Sequence, residues 1–341
     1  MDLYSTAELR KVIVDSRPPV QYFLDRLYKE QINFTTEEIM FDELRLGRRM
    51  APFVAPNLQG RVLKRSGFYT KTFRPAYVKP KDAVTPGRML RRLAGEGLTG
   101  DMTPGQRWKA TVAAYQLDQR NQIYRRFEWM GAQAALYGQV TVSGEDYPAV
   151  TIDFGRAANH TVILSGTAAW SDYDNSNPDD DLEDWAARIR EAEGFAVTRV
   201  TMGSTAWKAF RKHPAIKELL ETRRGSESRA ETGPGLGESV EYKGQIGAFN
   251  IYVYSDVYED ETGTMQPMMD PRDVLLEAEG GFDGVRAFGA IMDAKAGLQA
   301  LDIFPKMWEN EDPSVIYLLS QSAPLMIPSR PNCTLRARVV A

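Results

Sequence analysis

Residues able to carry metal or nucleophile chemistry are few in this chain of 341 residues. It contains two histidines, His160 and His213, and one cysteine, Cys333. His160 follows an asparagine in a loop-like stretch, and His213 precedes a proline, which favours a boundary conformation. We expect both histidines to be structural or solvated, and we expect Cys333 to be a packed thiol on the C-terminal strand.

Carboxylates are far more numerous, and one stretch places them at several calcium-loop spacings. That stretch covers residues 172–183, but Asn177 stands at the position where a calcium loop requires glycine. The acids at 179–184 more simply provide a helix N-cap and an acidic first turn, both of which favour the positive end of a helix dipole. We therefore do not predict a metal site.

Other catalytic signatures are weak. Asp153-Phe154-Gly155 matches a kinase metal-binding tripeptide, yet no glycine-rich loop or catalytic-loop signature accompanies it. The chain has no phosphate-binding loop of the Gly-x-x-x-x-Gly-Lys type. A paired-carboxylate hydrolytic site is left open among 46 acids, although no pair is singled out. The sequence thus predicts no catalytic residue, no metal and no cofactor.

Charge is distributed in blocks. Residues 61–92 hold ten Lys or Arg and a single acid, Asp82, in a chain whose net charge is −4. Residues 172–193 and 256–283 hold nine acids each. Separate positive and negative surfaces predict that copies of the chain dock on one another. The negative total argues against a dedicated nucleic-acid binder, which we keep as the weakest alternative.

The basic block is predicted to be an extended arm. Ser66-Gly67 indicates a hairpin turn between strands at 61–65 and 68–73. A two-stranded ribbon is marginal in water and needs a surface to lie on. The first 50 residues have a helical pattern at 5–14 and an amphipathic piece at 20–30. These elements are too short to hold themselves together, and we expect the tail to pack elsewhere than on its own domain.

A helix of 34 residues is predicted at 104–137. Thr103 is a good N-cap, Pro104 suits the first helical position, and Gly138 ends the pattern. Apolar side chains from Trp108 to Tyr137 recur at spacings of three or four with one skip. A helix of this length spans roughly 50 Å and must cross a whole domain.

Beyond this helix the pattern is mixed α/β. Strands are predicted at 139–142, 150–154, 195–202, 249–255, 274–278, 285–292, 315–320 and 334–340. Helices are predicted at 180–193, 204–211 and 214–223, and residues 225–237 form a glycine- and serine-rich loop.

Composition is that of a soluble globular protein, with 43% hydrophobic and 26% charged residues. No apolar run approaches the ~18 residues that span a bilayer, and the first residues lack a signal-peptide pattern. One cysteine excludes an intrachain disulfide and favours a reducing compartment. We expect a cytoplasmic protein that does not bind membranes.

Seven short segments resemble the lambda-type tailed-phage major capsid proteins. They occur in the family's order and together cover nearly the whole chain. The segments are Phe34-Thr35-Thr36-Glu37, Tyr77-Val78-Lys79-Pro80-Lys81, Leu90-Arg91-Arg92-Leu93, Asp153-Phe154-Gly155-Arg156, Thr222-Arg223-Arg224-Gly225-Ser226, Tyr242-Lys243-Gly244 and Gln321-Ser322-Ala323-Pro324-Leu325-Met326.

The resemblance implies the Hong Kong 97-type capsid fold, an α+β architecture. It implies an N-terminal arm at 1–51 and an extended β-hairpin loop, the E-loop, at 52–95. A peripheral domain with a long spine helix follows at 96–155 and 301–322, and a mixed α/β axial domain covers 156–300 and 323–341. The E-loop residues that we predict to contact neighbouring subunits are Arg61, Lys64, Arg65, Lys71, Arg74, Lys79 and Lys81.

The function implied is that of a major capsid protein, which is not an enzyme. Such a protein self-assembles as pentamers and hexamers into an icosahedral head shell around double-stranded DNA, which it encloses without reading its sequence. Expected partners are a decoration protein at three-fold positions and the scaffold and portal proteins. The expected location is the virion, with the host cytoplasm during assembly. The alternative from another class is a cytoplasmic α/β hydrolytic enzyme with an unrecognised carboxylate site.

Overall fold

The computed structural model describes residues 5, 9–11, 21–36, 38–44, 59, 68–93, 96, 102–144, 147–217, 239–260 and 262–340. The helices with both ends described are α1 (Tyr22–Leu27), α2 (Pro86–Met89), α3 (Pro104–Tyr137), α4 (Pro178–Glu193), α5 (Ser204–Lys212) and α6 (Glu279–Phe282). Among the helices in this part of the chain, none has the length and apolar character needed to cross a membrane.

The strands are named β1 to β18 in chain order. Their bounds are β1 (Glu30–Asn33), β2 (Ile39–Leu44), β3 (Phe68–Phe73), β4 (Lys81–Val84), β5 (Gln139–Gly144), β6 (Tyr147–Asp153), β7 (Thr161–Ile163), β8 (Arg199–Met202), β9 (Val240–Ile246), β10 (Phe249–Tyr254), β11 (Val257–Glu259), β12 (Met265–Pro267), β13 (Asp273–Glu277), β14 (Val285–Phe288), β15 (Phe304–Asn310), β16 (Val315–Gln321), β17 (Pro324–Ile327) and β18 (Thr334–Arg338).

The long helix α3 has the bounds that the sequence predicts. Thr103 forms a capping box with Gln106: its hydroxyl accepts from the Gln106 amide at 3.3 Å, and the Gln106 side chain accepts from the Thr103 amide at 2.8 Å. Gly138 ends the helix in the left-handed region, at φ 67°. Local signals at both ends therefore determine this element.

A three-stranded sheet of order β1-β14-β17 packs on α3. The Phe127 side chain, on α3, is 2% exposed, and its ring lies 5.4 Å from that of Phe288 on β14. All four residues of β17 are buried. The apolar stripe of α3 is thus buried for several turns, as its spacing predicts.

The N-terminal half of α3 covers a second sheet, of order β15-β16-β4. Trp108 and Val112 of α3 meet Leu318 of β16 in one apolar cluster. Residues 81–84, which the sequence places in the E-loop, form strand β4 of this sheet. Leu9, from the predicted tail, is also buried in the cluster.

The largest sheet has six strands in the order β7-β18-β13-β8-β10-β9. Helices α4 and α5 lie beside it, and aromatic rings fill the contact: Trp170 and Phe210 are 5.4 Å apart, and Trp170 and Trp185 stack at 6.0 Å. The chain reaches this sheet from five separate regions, so long-range packing rather than local sequence determines its order.

The predicted hairpin at Ser66-Gly67 and its strand at 61–65 lie outside the described residues. Strand β3 pairs with β2 in antiparallel register, from Ile39 opposite Phe73 to Leu44 opposite Phe68. Residues 68–73 are therefore paired with the N-terminal segment. Most of the helical pattern at 5–14, residues 218–223 and the loop at 225–237 also lie outside the described residues.

The N-terminal segment from 21 to 34 packs on its own chain, so our expectation for the tail is wrong over these residues. Phe23, Leu24 and Tyr28 have no measurable exposure. Strand β1 then pairs in parallel with β14. Short elements that cannot hold themselves together are stabilised here by burial against α3 and the sheets.

Candidate assembly surfaces

The structure describes four of the seven predicted arm residues. Arg61, Lys64 and Arg65 lie outside the described residues. Lys71 lies on β3, which pairs with β2. Arg74, Lys79 and Lys81 are exposed. The structure thus places the side chains of Arg74, Lys79 and Lys81 at the surface, between strand β3 and strand β4 in the sequence and at the start of β4.

Aromatic rings hold two of these lysines in place. The Lys81 ammonium lies 4.0 Å from the centre of the Tyr317 ring and 5.2 Å from that of Trp308. The Lys79 ammonium lies 4.5 Å from the centre of the Tyr77 ring. Cations over aromatic faces are attracted by the ring quadrupole. Each of these two charges therefore lies against an aromatic side chain of its own subunit.

The first acidic block forms a solvated face on α4. Asp180, Glu183 and Asp184 are exposed, and a groove of ≈ 710 Å³ separates this face from the turn between β9 and β10. The Trp170 indole donates to Asp181 at 2.8 Å. Acids in the first turn suit the positive end of the helix dipole, as the sequence predicts. The helix begins two residues earlier than predicted, at Pro178.

The stretch with calcium-like spacing at 172–183 folds as a turn that leads into the first residues of α4. Asp172 Oδ1 accepts backbone N–H groups of Asp174 and Asn175, each at 3.2 Å. Asp153 similarly accepts from the Gly155 amide at 2.8 Å. Within the residues that the structure describes, no group of three or more His, Cys, Asp and Glu could hold a metal ion.

The second half of the second acidic block, from Asp270 to Glu279, is paired with arginines of the same subunit, so these acids do not form the free negative surface that the sequence predicts. Asp273 is fully buried between Arg336 Nε at 2.6 Å and Arg338 Nε at 3.0 Å. Arg338 also contacts Asp270 at 2.7 Å. The arginines come from β18, which neighbours β13 in the sheet.

A further buried network joins the N-terminal segment to the six-stranded sheet. Arg26 Nη1 contacts Glu277 Oε2 at 2.7 Å and also contacts Glu279. The Thr201 hydroxyl donates to Glu277 Oε1 at 2.9 Å and lies 2.8 Å from the Tyr22 hydroxyl. A buried charge pair that has further hydrogen bonds is strongly destabilised when one partner is removed.

Histidine and cysteine side chains are buried, as expected for structural groups. His160 Nδ1 lies 3.0 Å from the Thr334 carbonyl oxygen, and burial lowers the pKa of this imidazole. His213 Nε2 lies 3.3 Å from the Ser176 hydroxyl. Burial raises the pKa of Cys333 to about 12, which suits a packed thiol. Cys333 lies in a 3₁₀ turn just before β18 rather than on the strand.

A cleft of ≈ 650 Å³ lies between residues 76–79 and the part of the subunit that includes α3 and β5. Its lining includes Tyr77, Lys79, Trp129 of α3, Glu259 and Asp260. The cleft therefore presents both signs of charge beside aromatic side chains.

Comparison with known proteins distinguishes between the three functions that the sequence left open: a capsid protein, a hydrolytic enzyme and a nucleic-acid binder. The family model described as phage major capsid protein E matches residues 5–339. The chain belongs to this family of capsid proteins. It is 34% identical over 339 residues to the major capsid protein of Escherichia phage N15, covering 97% of this chain and 98% of that protein. The major capsid protein of Escherichia phage lambda gives the same identity and coverage.

A solved structure agrees with this family. The chain resembles a crystal structure assigned to a prophage capsid protein of Escherichia coli CFT073, with a TM-score of 0.76, 27% identity and full coverage of both chains. The predicted Hong Kong 97-type fold is confirmed. This capsid protein is a structural component and not an enzyme, and major capsid proteins form the capsid of the virion.

Two features of the subunit interior could not be predicted from the sequence. The internal pairing of Asp270, Asp273 and Glu277 depends on arginines far away in sequence. The position of Glu128 beneath α1 was also missed, although a glutamate within an apolar stripe of a helix is a signal that could have raised the question.

Proposed function

We propose that this capsid protein assembles as pentamers and hexamers into a closed icosahedral head shell that encloses double-stranded DNA. The observation that carries the proposal is the match of residues 5–339 to a family of phage major capsid proteins. Closed symmetry lets weak pairwise contacts add up, because each subunit is held by several neighbours.

We propose that the arm at 52–95 reaches a neighbouring subunit through Arg61, Lys64, Arg65, Lys71, Arg74, Lys79 and Lys81. The exposed acids of α4 support this proposal because they offer a surface of opposite charge. Charge complementarity would set the register of adjoining subunits more than the strength of their contact.

The division into an arm (1–51), an E-loop (52–95), a peripheral domain (96–155 and 301–322) and an axial domain (156–300 and 323–341) is likewise our proposal. The sheets do not follow these boundaries throughout. Strands β1, β14 and β17 share one sheet on α3, yet they come from the arm range and from both axial ranges. A boundary defined by sheet membership would move β14 and β17 to the peripheral domain.

Further partners follow from the same proposal. We propose that a decoration protein binds at three-fold positions of the shell and that scaffold and portal proteins act during assembly. Assembly would take place in the host cytoplasm, and the mature protein would reside in the virion.

Particle formation tests the proposal directly. Expressed protein should give capsomers or closed particles in electron microscopy and should sediment much faster than a 38.3 kDa monomer. A compact monomer under all assembly conditions would contradict the shell and would return the hydrolytic alternative to consideration.

The inner surface of a shell should bind DNA weakly so that the genome can enter and leave. The chain carries a net charge of −4, so few phosphates can be neutralised. We expect purified capsomers to bind duplex DNA only weakly at physiological salt, as measured by fluorescence anisotropy. A submicromolar affinity that falls steeply with salt would favour the nucleic-acid-binding alternative instead.

A further inference from the structure

Two short charged segments lie at one end of the β15-β16-β4 sheet. The first is the turn that joins β15 to β16, where Asn310 pairs with Val315 in antiparallel register. The second consists of α2 and the residues after it, which follow β4 in the chain. Because Val84, the last residue of β4, pairs with Ile316, the chain leaves β4 at the same end of the sheet as that turn. The fold therefore brings both segments to one end of the same sheet.

The two segments carry opposite charge. The acids at the turn, which we call the acidic tip, are Glu309, Glu311 and Asp312, and residues 307–317 include no basic residue. The arginines after β4, which we call the basic patch, are Arg88, Arg91 and Arg92, and residues 83–95 include no acid. All six side chains are exposed. Among the described residues, none of the six forms an ion pair. The opposite charges are therefore not paired within the subunit.

Both segments are anchored in one apolar cluster. Met89 of α2 is 1% exposed and belongs to the same cluster as Met307 of β15 and Ile316 of β16. Close packing of this kind holds the two segments at a fixed separation. The next residue, Leu90, is 78% exposed. The basic patch thus surrounds a large apolar side chain in water, and Pro313 is an exposed apolar residue of the acidic tip.

We propose that the acidic tip of one copy docks on the basic patch of a second copy, with Leu90 covered at the contact. The inference rests on the shell proposed above and names one surface that joins its subunits. A second copy is the occupant because it carries the charge that each patch lacks, and facing patches of opposite charge fix the register of a contact. Since the two patches differ, every copy gives its tip to one neighbour and receives the tip of another, and a rotation that closes makes a ring.

Charge reversal in the full-length protein tests the contact under conditions in which the wild type forms particles. Arg88→Glu with Arg91→Glu reverses part of the basic patch, and Glu311→Lys with Asp312→Lys reverses part of the acidic tip. Each double variant places like charges against each other, so its yield of closed particles should fall roughly tenfold or more. The protein with all four changes has opposite charges in exchanged places and should recover particles. Electron microscopy and sedimentation measure the yield, and circular dichroism reports the fold.

Two further measurements separate the contact from other causes. The charge-conserving variant Arg88→Lys with Arg91→Lys should assemble as the wild type does. Leu90→Cys combined with Ser314→Cys should give covalent multimers when assembled particles are treated with a short bis-maleimide, whereas either change alone should give none. The native Cys333 is buried and does not compete. The cysteine pair also decides the question if a reversed variant fails to fold.

The outcomes distinguish this contact from the shell itself. Wild-type particles together with normal particles from either double reversal would overturn the contact alone. A folded four-change variant without particles, or a cysteine pair without multimers, would also overturn it. Wild-type protein that forms no particles would overturn the shell, and the contact with it.

Discussion

The triple variant Arg61→Glu, Lys64→Glu and Arg65→Glu is expected to form no closed particles while its subunit stays folded. These residues begin a stretch of ten basic residues with a single acid, and the change reverses the sign of its first part. Like charges placed against each other at an interface cost several kcal/mol, whereas surface charge reversals away from a core seldom unfold a protein. Electron microscopy and sedimentation report assembly, and circular dichroism reports the fold.

Two further variants show whether charge is the cause. The charge-conserving variant Arg61→Lys, Lys64→Arg and Arg65→Lys should assemble normally. If the acids of α4 receive the arm, changing Asp180, Glu183 and Asp184 to Lys should restore particles to the triple Glu variant. Normal particles from the triple Glu variant alone would show that this stretch is not an assembly arm.

Truncating Phe127 to Ala should destabilise the subunit by roughly 3–5 kcal/mol, because it leaves a cavity beneath α3. The ring is 2% exposed and packs edge-on against Tyr124 at 5.7 Å and against Phe288 at 5.4 Å. Domain stabilities are only about 5–15 kcal/mol, so much of the protein should be insoluble or unable to assemble. Urea unfolding of the unassembled subunit measures the loss.

Leu90→Ala is the matched control for this truncation. Leu90 is 78% exposed, so its loss should change the free energy of unfolding by less than roughly 0.5 kcal/mol. Equal unfolding midpoints for the Phe127 and Leu90 variants would mean that α3 is not the packed spine of the subunit. The assignment of the sheets around it would then fail too.

Elements with strong local signals were predictable from the sequence. Thr103, Pro104 and Gly138 define both ends of α3, because a capping box and a left-handed glycine act within a few residues of the helix terminus. The stripe from Trp108 to Phe127 predicts which face is buried, since its period matches that of a helix. The family was also recognisable, because short segments keep their order along the whole chain.

Short strands were less predictable. Strand β17 begins with a proline, is four residues long, and is buried on both faces, so it shows no alternation. Strand β1 is exposed along its length and owes its existence to its pairing with β14. Neither pattern distinguishes a strand from a loop without the sheet that receives it.

The sequence shows how many acids each block holds, but only the tertiary structure shows which of them are exposed and which are buried. The acids of α4 stay at the surface, as their helical spacing predicts, whereas Asp273 and Glu277 face inward on β13 and meet arginines from β18 and α1. The sequence by itself determined the family and the long helix, because each depends on local patterns. The tertiary structure decided which acids are free and that residues 21–34 belong to the core, because burial and ion pairing join residues that are far apart in the chain.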